Sequence, residues 1–163
     1  MTKLIILISG CLLFSTLFGK FPEIISDVSG ETINMKDLTK EKTVVIITMK
    51  SPDCPICQYQ ITRIMQNFDQ LALCNVTFIV LSPGPGEQLN KVKNKTQFPF
   101  PFVVDNELKI ARSLNVLLSE TEILPSILIL NEQLEIAWAQ KGRNVFYFGD
   151  PELMKHLKCE GWI

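Results

Sequence analysis

The stretch "TVVIITMKSPDCPICQYQITRIM", residues 43–65, decides the fold. It opens with an unbroken β-branched run, Thr43 to Thr48, the pattern of a central strand buried on both faces. From Pro55 the spacing turns helical, and Ile61, Ile64, Met65, Phe68 and Leu71 fall on one side of an amphipathic helix. Cys54 and Cys57 sit where strand gives way to helix. Three readings are open for them: a redox couple, half of a metal site, or two thiols that fall close together by chance.

Working outward, the same alternation recurs. "VTFIVLS" (76–82) reads as a second buried strand, "PGPG" (83–86) as a breaker and "EQLNKVKNK" (87–95) as a polar helix. A short strand is expected at Phe102 to Val104, then a helix after Asp105. Beyond Pro125 come the strand "SILIL", a turn at Asn131 to Gln133 and the hairpin partner "LEIAWAQ". Upstream, "FPEIISDVSGETINMKDLTKEK" (21–42) reads as a hairpin around Ser29-Gly30 followed by a short helix at Met35 to Thr39. A last helix is expected near Asp150-Pro151, with Asp as cap and Pro in the first turn. Strands alternating with helices and closed by a hairpin imply an α/β sandwich around a mixed central sheet.

Of the 163 residues, 47% are hydrophobic and 20% charged, enough for one domain with a real core. A net charge of −1 provides no basic field for nucleic acid. The N-terminus reads as a separate element: Lys3 precedes the apolar run Leu4 to Phe18, about the upper length of a signal-peptide core and short of the ~20 residues that span a bilayer. Residues 1–19 are therefore expected to be a signal peptide or an N-terminal membrane tether through residues 4–18, with the domain at 20–163. "ISGC" (8–11) also has the form of a lipidation site at Cys11. Each of these readings places the domain outside the cytoplasm, periplasmic, secreted or membrane-anchored.

The helix junction supplies the chemistry. Pro55 occupies the first helical turn, where its missing N–H is not needed, and the remaining free N–H groups favour an anion at Cys54. A thiolate is such an anion, so Cys54 is expected to have a depressed pKa and Cys57, one turn further in, a higher one. Asp53 opposes this, because a neighbouring carboxylate disfavours a second negative charge. A structural zinc site needs four Cys or His ligands, and only Cys74, Cys159 and His156 remain, with no second CxxC. No metal or other cofactor is expected, and a redox couple is the favoured reading.

From Phe21 to about Leu157 the sequence resembles the thioredoxin-like superfamily in its redoxin (AhpC/TSA-like) branch. The resemblance is carried by "PEIISDVSGETINMKDL", the strand before "SPDCPIC", "FPFPFVVDNELKIARSLNV" and "LPSILILNEQLEIAWAQKG". "SPDCPICQ" is similar to the methylamine-utilisation accessory proteins, which are exported and anchored. The resemblance implies a thioredoxin-like three-layer α/β/α sandwich and a thiol-disulfide oxidoreductase, with Cys54 attacking and Cys57 resolving. It implies a redox-active disulfide that exchanges with protein disulfide or dithiol substrates and a redox partner. Pro125 would be a cis-proline facing the cysteines, turning the backbone of Leu124 outward to pair with an extended substrate, while Ser51 and Pro55 line the same groove. Two alternatives remain. A peroxiredoxin-like peroxidase fits less well, because Ser51 supplies the pocket hydroxyl but Ile47 stands where proline belongs and residues 125–127 hold no arginine. A binding module that keeps the fold without turnover is the other. In such a fold the CxxC helix and the last helix end at one pole, so Cys74 and Cys159 are expected to form a structural disulfide in an oxidising compartment.

Overall fold

The computed structural model describes residues 19–72, 74–143, 153 and 155–157. Ile24–Ser26 (β1) and Thr32–Asn34 (β2) pair as the expected hairpin, and Met35–Glu41 (α1) follows directly because the Asn34 side chain accepts from the N–H groups of Lys36 and Asp37. Thr43–Thr48 (β3) and Val76–Ser82 (β4) run parallel in register from Thr43↔Val76 to Thr48↔Leu81. Between them lie Pro55–Gln66 (α2) and Phe68–Ala72 (α3). Gly86–Thr96 (α4), Phe102–Val104 (β5), Lys109–Ser113 (α5), Ser126–Leu130 (β6) and Ile136–Lys141 (β7) complete the described elements.

The sheet runs β5-β4-β3-β6-β7, with β6 antiparallel to both neighbours. One face packs under α2, α3 and α4 together with Leu153 and Leu157, and the other packs under α1, α5 and the β1–β2 hairpin. The three-layer α/β/α sandwich is thus observed. Alternation along β3 accounts for it: Val45 and Ile47 face the first layer and Val44 and Ile46 the second, all fully buried. On the α2 side Phe78 packs against Phe98, tilted, and Phe100, edge-on, with ring centroids 5.8 and 5.2 Å away, so the phenylalanines of "FPFPF" join the core, Phe98 and Phe102 buried and Phe100 at its edge.

One helix expected from the sequence is two. At Asn67 the backbone leaves helical geometry and its N–H reaches back to Ile64 and Met65, ending α2 before Phe68. Helical spacing continues across the break because α3 buries Leu71 in the same core. In the "PGPG" breaker Gly84 has φ +98°, and a Cβ there would collide with the Asn106 side chain. The peptide bond between Gly84 and Pro85 is cis.

The hairpin is fastened by a buried carboxylate. Asp27, with its side chain 2% exposed, accepts from Ser29 N–H and Oγ and from Glu31 N–H, and pairs with Lys93 of α4 at 3.0 Å. Burial pushes its pKa up, but the bonds from Ser29, Lys93 and Glu31 outweigh it and hold the pKa at about 2, below the usual 3.8. A carboxyl whose folded pKa is depressed stabilises above its unfolded pKa and loses that contribution as pH falls through the folded one. Stability is therefore expected to fall by on the order of 2 kcal/mol between about pH 4 and pH 2. Asp27→Asn should flatten that part of the pH–stability curve measured by urea unfolding.

Candidate active site

The loop 49–54 leaves the end of β3 and is fixed before α2 begins. Met49 N–H donates to Leu81 O, and Cys54 N–H donates to Ser51 O at 3.2 Å, closing a turn. Cys54 caps α2, its Sγ lying 3.3 Å from the N–H of Cys57, and Pro55 takes the first helical position. Cys54 and Cys57 are joined by a disulfide with Cα atoms 5.3 Å apart, an ordinary separation for such a bridge. Cys57 is fully buried in the core under α2, whereas Cys54 is partly exposed at its edge. An outside group therefore meets Cys54 first.

Lys50 is the hub of the loop. Its N–H lies 3.4 Å from Cys57 Sγ, its carbonyl accepts from Ile123 N–H, and its ammonium pairs with Glu122 at 3.1 Å. Lys50 thereby links the cysteines to the segment before β6. The nearby Ser51 hydroxyl, and after it the Asp53 backbone N–H, hold the Asp53 carboxyl below the usual carboxylate range. Asp53 is exposed and ionised beside Cys54.

Two expectations are corrected here. The Leu124–Pro125 bond is not cis; the cis bond among the described residues is Gly84–Pro85. Nor does Leu124 offer its backbone to a substrate. Its N–H donates to Val116 O at 2.7 Å, and its carbonyl accepts from Thr48 Oγ1 at 2.6 Å and Ser126 Oγ at 3.0 Å. Pro125 O accepts from Gly142 N–H. With these groups satisfied inside the protein, the extended backbone that leads into β6 has no reason to turn toward the cysteines. Of the expected groove residues, Pro55 is exposed and Ser51 partly so. Cys74 is buried and disulfide-bonded; Cys159 lies outside the described residues, as do residues 1–18 and the Asp150-Pro151 helix start. Leu153, Lys155 and His156 are helical, and the His156 ring lies 4.5 Å from that of Trp138.

Sequence reasoning missed Thr48 and Arg143. Thr48 Oγ1 donates to Leu124 O and accepts from Ser126 N–H at 2.6 Å, pinning β6 to the end of β3. Arg143 Nη2 donates to the Thr48 carbonyl, so a guanidinium reaches the strand end from beyond β7. Neither carries a local signal, since the partners are 76 to 95 residues apart in the chain. Thr48→Val, which keeps the shape and removes the hydroxyl, strands the buried Ser126 N–H and should lower stability by about 1–3 kcal/mol in urea unfolding.

The sequence matches the AhpC/TSA family over residues 19–139, well over half of the chain and including Cys54 and Cys57. The chain belongs to the AhpC/TSA family. Thiol-based redox chemistry is the activity that this membership supports. No curated protein matches in sequence. Among solved structures, this AhpC/TSA protein resembles peroxiredoxin Q of Xanthomonas campestris, with a TM-score of 0.71 and 16% identity over 83% of this chain and 91% of the other. It also resembles peroxidoxin BcpB of Mycobacterium tuberculosis, with a TM-score of 0.66 and 14% identity over 77% and 86%. Likeness at that identity establishes the thioredoxin-like fold.

Proposed function

We propose that this protein is a thiol-disulfide oxidoreductase whose working couple is Cys54–Cys57. The observation that carries the reading is a disulfide within one helical turn, with one sulfur at the surface and the other sealed in the core. In the reduced protein the Cys54 thiolate attacks one sulfur of a substrate disulfide, forming a mixed disulfide and releasing the other sulfur as a thiol. Cys57, giving up its proton, then attacks Cys54 Sγ and releases the second substrate thiol. Two electrons pass from protein to substrate, and a dithiol partner restores the reduced pair. Run backwards, the same steps donate a disulfide. Free N–H groups at the start of α2 favour the attacking anion, while ionised Asp53 opposes it, which suits a moderate potential.

The substrates we propose are protein disulfides or dithiols outside the cytoplasm. Supporting this is the apolar run Leu4 to Phe18 behind Lys3, the form of an export signal or tether. Cell fractionation with an antibody to the native chain checks it, and recovery in the cytosol alone overturns it.

A second reading, thiol peroxidase, is favoured by the likeness to peroxiredoxin structures. Against it, the segment before β6 carries no guanidinium. Stopped-flow oxidation of the fully reduced protein by hydrogen peroxide separates the two. The expected rate is close to that of free cysteine, together with ready reduction of a small disulfide. A peroxide rate several orders of magnitude above free cysteine would replace exchange by peroxidase chemistry.

A further inference from the structure

Beside the cysteines two hollows adjoin on the surface between α2 and α4. The first, about 290 Å³, is lined by Pro52, Asp53, Gln58, Lys91 and Lys95 among others. The second, about 250 Å³, lies against Pro55, Tyr59 and Thr62 and shares Gln58 and Lys95 with the first. Those two residues form the dividing wall and are bonded in series: Lys95 Nζ donates to Gln58 Oε1 at 3.0 Å, and Gln58 Nε2 donates to Pro52 O at 2.7 Å. One link further along the chain is Asp53, then Cys54. The hollows thus border the two chain neighbours of Cys54, Asp53 on the first and Pro55 on the second, and are tied to its loop.

Charge distinguishes this flank. Lys95 is held by a neutral amide, so its positive charge stays available at the common wall. Lys91 adds a second ammonium, shared with Glu87 on the solvent side. The other lysine bordering the cysteines, Lys50, is already paired with Glu122. Asp53 is the carboxylate on the first hollow, set against the two ammonium groups of Lys91 and Lys95. Tyr59, 54% exposed, and Pro55 supply flat apolar surface along the second hollow. From Cys54 to Thr62 the helix advances about 12 Å, the length of roughly four residues of extended chain.

We propose that the double hollow is the docking groove for an extended peptide segment that carries the reacting cysteine and an acidic residue within about four positions of it. The acidic side chain binds Lys95, and the intervening residues lie over Pro55 and Tyr59. This rests on the exchange reading above and names its substrate class. It also gives the helix flank the recognition role that the backbone of Leu124 does not fill.

The test uses the full chain, reduced, with three decapeptides, each bearing one cysteine in mixed disulfide with a chromogenic thiol. They differ only in Glu, Gln or Lys at the third position after the cysteine. The same peptides with Ser for Cys are titrated separately for binding, so that docking is read independently of turnover. The acidic peptide is expected to react, in a single turnover read by release of the chromogenic thiol, with a second-order rate constant about five- to tenfold above the basic one, a gap that narrows with added salt. In Lys95→Glu, an exposed position whose change leaves the core untouched, the order should invert in both turnover and binding. Equal treatment of the three peptides, or an order unchanged in Lys95→Glu, overturns the groove while exchange itself stands. If none of the peptides is turned over but the acidic Ser peptide binds through Lys95, the groove stands and the exchange reading falls. Glutathione disulfide is the remaining arm: reaction faster than any peptide and lost in Lys95→Glu moves the carboxylate to a small molecule and overturns the peptide assignment.

Discussion

Cys54→Ser is expected to abolish disulfide exchange, lowering turnover on the order of 10³-fold or more, because no other sulfur in the described site is reachable from solvent. Cys57→Ser should behave differently. Cys54 still attacks, but the mixed disulfide has no partner one turn away to resolve it, so the variant accumulates a covalent adduct on Cys54. Intact-mass measurement after mixing with excess disulfide shows the adduct directly, and peptide mapping assigns the sulfur. Full function in Cys54→Ser would mean that the fold serves as a binding module and that the disulfide is incidental to its task.

The largest expected effect on stability is at Phe78. Its ring lies wholly inside the core, between the rings of Phe98 and Phe100, on the strand beside β3. Phe78→Ala removes those contacts and leaves a cavity that rigid strands on either side cannot close, at about 3–5 kcal/mol. Domains of this size are stable by about 5–15 kcal/mol in total, so the variant should unfold at a much lower urea midpoint with an unchanged slope. A loss under about 1 kcal/mol would mean that the aromatic cluster collapses freely into the gap.

Those two outcomes depend on features that the chain advertises locally. The runs of β3, β4 and β6 announce buried strands because an unbroken apolar, largely β-branched composition can be read within one short window. The cysteine pair, Pro55 and the helix start lie within four positions, so the candidate couple is legible from a single window. Asn67 was hidden for the opposite reason: Phe68 and Leu71 keep helical spacing although the backbone has broken, and spacing reports burial rather than continuity. The environment of Leu124 was hidden more deeply. Its carbonyl is taken by the Thr48 hydroxyl, which comes alongside only after β3 and β6 pair, and a proline before a strand looks the same in either peptide geometry. The Asp27–Lys93 pair was likewise unreadable, because a polar hairpin and a polar helix both look solvent-facing until they pack.

The short strand β5 ends the sheet on one side, and a three-residue border strand is an invitation to other chains. Here the invitation is withdrawn: Val28 N–H bonds to Phe102 O at 2.8 Å and Asp27 bridges to Val103, so the β1–β2 hairpin lies across the margin like a lid on a seam. No incoming strand can lengthen the ladder there without first lifting the hairpin. Since the hairpin is fastened through an ionised Asp27, strong acid loosens the seam, and edge-to-edge aggregation should begin from this margin before the core itself gives way.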